Sequence, residues 1–223
     1  MRYCVTKSKN VFVIYNKNMG DFLINNICKF EIMNRVHLIK TGVNILTSVF
    51  FKRDQYYKNF GIYVKGLQKV IDFVDNSENN PNNEYVFVLF IDQNIANDPT
   101  IMKMINNSPN TVPILFKCVK YMNEKYHNDL FGTLVRFFPM FDFPENPCNI
   151  VICIDVDLHD DDYVRLKSLM KHHIKGVTSS ADVQTLIYNN NPPYIYAHLV
   201  CYNREKYTHK FIIDFIENAE NEK

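Results

Sequence analysis

Four stretches of this chain are apolar almost without interruption: Val43 to Phe51, Tyr85 to Ile91 with Asp92 as the strand's last residue, Val112 to Phe116, and Ile150 to Ile154. Strands covered on both faces read this way, because neither face needs polar side chains. The segments between them carry a different period. After the first run, Phe60, Tyr63, Val64, Leu67, Val70, Ile71 and Val74 recur at helical spacing. A polar turn with Pro81 follows, from Asn76 to Asn83. After the second run the pattern predicts a short helix from Asp98 to Ile105, with Pro99 in its first turn. After the third, Asp129 is placed to cap a helix whose apolar face is Leu130, Leu134, Phe137, Phe138 and Phe141, ended or kinked by Pro139. Strand and helix thus alternate through four strands. That alternation predicts an α/β fold, a single domain with a mostly parallel central sheet flanked by helices.

The flanks are less patterned. Residues 1–42 form an N-terminal extension in which Val11 to Tyr15 fits a short strand and Phe22 to Ile32 fits either a helix or an edge hairpin. Beyond the fourth run come a helix bearing Val164, Leu166, Leu169 and Met170, a strand or loop from Ile174 to Ser180, and a strand from Tyr194 to Cys201 able to pair antiparallel. A last helix is expected near Tyr207 to Ala219, with Phe211, Ile212, Phe215 and Ile216 on one face. Residues 43–158 therefore read as the patterned, ligand-binding half, and 159–223 as a shorter second half of the same domain.

Composition narrows the classes. With 47% hydrophobic and 22% charged residues, the 223-residue chain can bury an ordinary core. A formal net charge of +1 without a dense basic run gives no electrostatic footprint for nucleic acid. The six cysteines make no C-x-x-C pair and no zinc-finger spacing, so reduced thiols and a cytoplasmic setting are expected. No stretch approaches the length of a membrane span, and the Val11 to Tyr15 run is too short for a signal-peptide core.

The fourth run ends in Asp155-Val156-Asp157, and this is the chemically most pointed feature. Ligands of open α/β sheets bind beyond the carboxyl ends of the strands. Side chains two apart on an extended chain point the same way, so Asp155 and Asp157 can present hard oxygen donors to one Mn²⁺ or Mg²⁺. Such a cation commonly carries substrate phosphates. Neither a G-x-G-x-x-G nor a G-x-x-x-x-G-K phosphate loop is present, which leaves phosphate handling to a metal. Asp160, Asp161 and Asp162 are better suited to cap the next helix.

An Asp-x-Asp ending a buried strand resembles the signature of GT-A-fold, nucleotide-sugar-dependent glycosyltransferases. The segment Phe131-Gly132-Thr133-Leu134-Val135-Arg136-Phe137-Phe138-Pro139 sharpens the likeness, because glycogenin-like and galactinol-synthase-like transferases carry an arginine on the helix before the motif. Arg136 precedes Asp155 by 19 residues, close to that family's interval. Ile45-Leu46-Thr47-Ser48, followed by Tyr56 and Tyr57, looks like the family's nucleotide-recognition loop. In composition the chain also resembles glycosyltransferase-like proteins of giant DNA viruses, for which host cytoplasm or the virion is the implied location.

The resemblance implies a GT-A-like, Rossmann-like domain and a metal-dependent transfer of a sugar from a nucleotide diphosphate donor, a UDP-sugar before others, to an acceptor hydroxyl. Asp155 and Asp157 would hold the metal. Thr47, Tyr57, Arg136 and Asp155 would contact the donor, and Arg136 would assist catalysis electrostatically. The family's third ligand, a histidine in glycine-rich sequence near the carboxyl terminus, has no equivalent context around His198 or His209. Plainer roles stand beside each assignment: solvated carboxylates at a strand end, a surface arginine, core-packing tyrosines, an ordinary strand threonine. Two other functions remain open. One is a glycosyltransferase-like binding or scaffold protein without turnover. The other is a haloacid-dehalogenase-type phosphohydrolase, which the late motif and the following Leu158-His159 disfavour.

Overall fold

The computed structural model describes residues 15–16, 21–24, 28–39, 42–52, 59–118, 135–137, 139, 148–174 and 199–203. The four apolar runs become strands β4 (Val43–Phe50), β5 (Tyr85–Ile91), β6 (Thr111–Cys118) and β7 (Cys148–Ile154). All seven residues of β5 are buried, as a central strand requires. Before these strands lie β1 (Tyr15–Asn16), β2 (Asp21–Ile24) and β3 (Cys28–Ile32), and after them β8 (Leu199–Asn203). The Phe22 to Ile32 ambiguity resolves to the hairpin, since β2 and β3 pair antiparallel with Asp21 opposite Glu31.

The sheet runs β1-β2-β3-β6-β5-β4-β7-β8. Its central four strands are parallel, whereas β3 joins β6 and β8 joins β7 antiparallel. The expectation of a mostly parallel sheet therefore holds for the centre only. The sheet is mixed, because local hairpins at one end and a returning strand at the other add antiparallel edges.

Helix α1 (Phe60–Asp75) connects β4 to β5, with Asn59 accepting from the Gly61 amide as N-cap. Between β5 and β6 stand α2 (Gln93–Ala96), capped by Asp92, and α3 (Pro99–Asn107), capped by Asp98. Helix α4 (Asp160–Ile174) follows β7. All four helices pack on one face of the sheet. There Leu67, Val70, Ile71 and Val74 of α1 and Leu166, Leu169 and Met170 of α4 meet Leu46, Phe50, Phe87, Leu89, Ile152 and Ile154. The opposite face carries Phe30, Phe90 and Phe116, with Phe30 edge-on to Phe90 at 5.5 Å. Against that second face, on β4 and β5, lies a single 3-10 turn, Val135–Phe137. Of the helix expected from Asp129, Val135–Phe137 form a 3-10 turn and Pro139 is helical, and its remainder lies outside the described residues, as does the last helix expected near 207–219; of the strand or loop expected from Ile174 to Ser180, Ile174 ends α4 and the rest lies outside them.

In the parallel centre the chain moves from β4 outward to β5 and β6, then returns to the other side of β4 as β7. The connection making that return contributes the 3-10 turn to the second face. A return in the opposite direction keeps a right-handed crossover only by crossing the opposite face. The strand order consequently reverses between β4 and β7, and the Asp155 motif follows β7.

Candidate functional site at the β4–β7 switch point

The ladder between β4 and β7 ends at the pair Thr47 and Cys153. Beyond it β4 stays with β5 as far as Phe50 opposite Ile91, while β7 ends at Ile154, so the strand order reverses at the carboxyl ends of β4 and β7. This is where ligands bind in open α/β sheets. The Ile154 carbonyl, past the end of the ladder, accepts from Ser48 Oγ at 2.8 Å and from Arg136 Nη1 at 3.3 Å. A buried carbonyl without such donors would cost stability, so the two side chains fix the strand end.

β7 stops at Ile154, and Asp155-Val156-Asp157 forms the turn just after it rather than the last strand residues. The alternation survives the turn. Val156 and Leu158 are buried at 6% and 7% exposure and join the α1–α4 cluster, while Asp155 and Asp157 are half-buried. Both carboxylates are therefore presented away from the core, as their spacing predicts.

Arg136 and Asp155 are brought together. The Arg136 side chain is only 4% exposed, and its Nη1 donates to Asp155 Oδ1 in a close ion pair. The backbone carbonyl of Arg136 in turn accepts from Cys153 Sγ at 3.7 Å. The 3-10 turn is thereby pinned to β7, and a full positive charge is held inside the second face with its counter-ion at the end of β7. A surface arginine on an amphipathic helix is excluded by this burial.

Helix α1 closes the other side of the turn through Gly66. A Cβ on that residue would lie 2.2 Å from the Val156 carbonyl oxygen and 3.1 Å from Asp157 Cα, so backbone meets backbone here and only glycine fits. A glycine in the interior of an otherwise good helix was the available sequence signal for this contact. The start of α4 is set by Asp162, whose carboxylate accepts from the His159 amide at 3.0 Å while its own amide donates to the His159 carbonyl. Asp162 thus supplies the reciprocal half of a capping box. Asp160 pairs with Lys69 of α1 across solvent at 3.1 Å.

The remaining sequence candidates fall as follows. Thr47 is fully buried three residues before the end of β4, and its hydroxyl has no hydrogen-bond partner among the described residues. It lies inside the sheet, in the last ladder pair between β4 and β7. Tyr56 and Tyr57 lie outside the described residues, as do His198 and His209. Among the described residues no group of three His, Cys, Asp or Glu side chains converges as a metal cage. None of the described helices is long and apolar enough to cross a membrane.

Asp92, at the carboxyl end of β5, was read in the sequence only as a strand end. It is 2% exposed and ties two segments together, accepting from the Lys52 amide at 3.1 Å and the Ile95 amide at 2.9 Å. Its role is to shape the loop leaving β4. A cleft of about 590 Å³ opens at the far end of the sheet, lined by His37, Asn44, Asn82, Asn83, Glu84 and Asn110. It faces the amino ends of the strands, opposite the carboxylate pair, and the switch-point rule favours Asp155 and Asp157 as the chemical centre. Compared with protein-family models, curated proteins and solved structures, the chain matches none of them.

Proposed function

We propose that the chain is a metal-dependent glycosyltransferase that moves a sugar from a nucleotide diphosphate donor, a UDP-sugar in the first instance, to an acceptor hydroxyl on a GT-A-like, Rossmann-like domain. The observation that carries the reading is the Asp155–Asp157 turn at the strand-order reversal, with the buried Arg136 paired to Asp155. The donor set suits a hard divalent cation: two half-buried carboxylates two residues apart. Asp157 and Asp155 would hold Mn²⁺ or Mg²⁺, and the bound cation supplies Lewis-acid stabilisation of a departing diphosphate.

The chain's own contribution is positional. Arg136 offsets the charge of Asp155, so the turn does not confront an anionic donor with two uncompensated carboxylates. Ser48, Gly66 and Arg136 together fix the backbone on both sides of the pair, which keeps the carboxylates in place before a ligand arrives. The reversal of strand order at the carboxyl ends of β4 and β7 is the place in an open α/β sheet where a diphosphate would bind.

A thermal-shift panel of nucleotide sugars with and without Mn²⁺ tests the reading. Stabilisation by a nucleotide sugar only when Mn²⁺ is present, lost in Asp157→Asn, is the expected result. Indifference to every nucleotide and metal sinks the reading. Release of phosphate from a simple phosphomonoester, abolished in Asp155→Asn, replaces it with the phosphohydrolase.

A further inference from the structure

The closest backbone approach at the site involves a residue with no side chain. Gly66 sits in the interior of α1, helical and buried, where glycine is less favourable than every residue but proline. Nothing in the helix itself asks for it: there is no kink, and its neighbours Leu67, Val70 and Val74 pack in register on the core. What asks for it is the turn. The Val156 carbonyl and the Asp157 Cα occupy the space that a Cβ at position 66 would need, at 2.2 Å and 3.1 Å. Both obstacles are backbone and cannot rotate away, so a side chain at 66 displaces either the helix or the turn.

The helix is the less movable partner. Leu67, Val70, Ile71 and Val74 lock it into the core, and Asn80 bonds the Val74 carbonyl at 3.0 Å. The turn is held by Val156 and Leu158 in the core and by Ser48 and Arg136 at Ile154. Asp155 has its own anchor in Arg136. Asp157 lies on the part of the turn against which α1 abuts.

We infer that Gly66 is a positioning residue that sets where Asp157 stands relative to the Arg136-anchored Asp155, and so whether the two carboxylates share one cation. The inference rests on the metal–diphosphate reading for its functional consequence and on the turn geometry for its structural one. The two can be tested apart.

The experiment compares Gly66→Ala with Val74→Ala, which loosens the same helix two turns away. Folding is checked by near-ultraviolet circular dichroism, metal–nucleotide binding by titration with Mg²⁺–UDP, and the turn by backbone amide resonances. Gly66→Ala is expected to shift the resonances of residues 155–158 and to weaken Mg²⁺–UDP by about tenfold or more, the usual effect of disturbing a ligand's support. Val74→Ala should lose thermal stability yet bind Mg²⁺–UDP within about twofold of the unaltered chain. Unchanged 155–158 resonances in Gly66→Ala overturn the inference, whether or not the unaltered chain binds Mg²⁺–UDP. Failure of the unaltered chain to bind, with the resonances shifted as expected, overturns the functional reading and leaves the positioning intact. If Gly66→Ala does not fold, the unaltered chain decides. Mg²⁺–UDP should shift the Gly66 amide together with those of Val156 and Asp157, and a Gly66 resonance that stays in place while theirs move contradicts the inference.

Discussion

Arg136 and Asp155 are not equal partners, since the guanidinium is 4% exposed and the carboxylate 38%. Removing the carboxylate takes the counter-ion from a buried guanidinium. Breaking a buried pair from one side costs roughly 3–5 kcal/mol, and partial solvation of Asp155 lowers that toward about 2 kcal/mol. Asp155→Asn should therefore destabilise the fold by about 2 kcal/mol. Urea unfolding of the variant checks this, and a loss under about 0.5 kcal/mol would argue against a structural ion pair. Tyr163 offers a second residue-level test. Burial raises its pKa above the usual 10.0, and the nearby carboxylates of Asp160, Asp72 and Asp162 add to the rise. The folded state then holds the phenolic proton more tightly than the unfolded chain does. That contribution is complete below about pH 10 and is lost as pH rises through the tyrosine range toward the raised folded value. Tyr163→Phe should flatten part of the alkaline decline in stability, and an unchanged pH profile would show that the hydroxyl is solvated.

At the scale of elements, the legible parts are those whose burial is symmetric. β4, β5, β6 and β7 stood out because both faces are covered, and α1 because its apolar stripe repeats faithfully. β3 was ambiguous because Phe30 and Ile32 alternate with Lys29 and Glu31 over only five residues, too few to separate a helix from a hairpin. α2 was missed because Asp92 read as the end of β5, whereas it is the cap that starts a four-residue helix. Of the helix expected from the spacing of phenylalanines, Val135–Phe137 wind as a 3-10 turn and Pro139 is helical, and the rest lies outside the described residues. The join between α1 and β5 rests on one side chain. Asn80, 1% exposed, donates to the Val74 and Tyr85 carbonyls and accepts from the Tyr85 amide at 2.9 Å. Asn80→Ala should cost about 2–3 kcal/mol by leaving buried backbone groups at Tyr85 unsatisfied. A change under about 0.5 kcal/mol in chemical denaturation would mean that water replaces the amide.

For the whole molecule, topology does what local pattern cannot. Nothing within a few residues of Asp155 indicates that Arg136, 19 positions earlier, will be its counter-ion, or that Gly66 will support the turn from another helix. The resemblance to GT-A enzymes supplied Arg136, and only the fold supplies Gly66, Ser48 and the reversal of strand order between β4 and β7. Those three features converge on the Asp155–Asp157 turn from separate parts of the chain, which is the reason for placing the chemistry there and not in the cleft at the opposite end of the sheet. The claim is tested most directly by a crystal structure of the full chain soaked with Mn²⁺ and UDP, read by anomalous scattering. The account predicts one Mn²⁺ peak about 2–2.5 Å from an Asp157 oxygen and from the diphosphate. A Mn²⁺–diphosphate bound elsewhere, or no peak at the turn under saturating ligand, would contradict it.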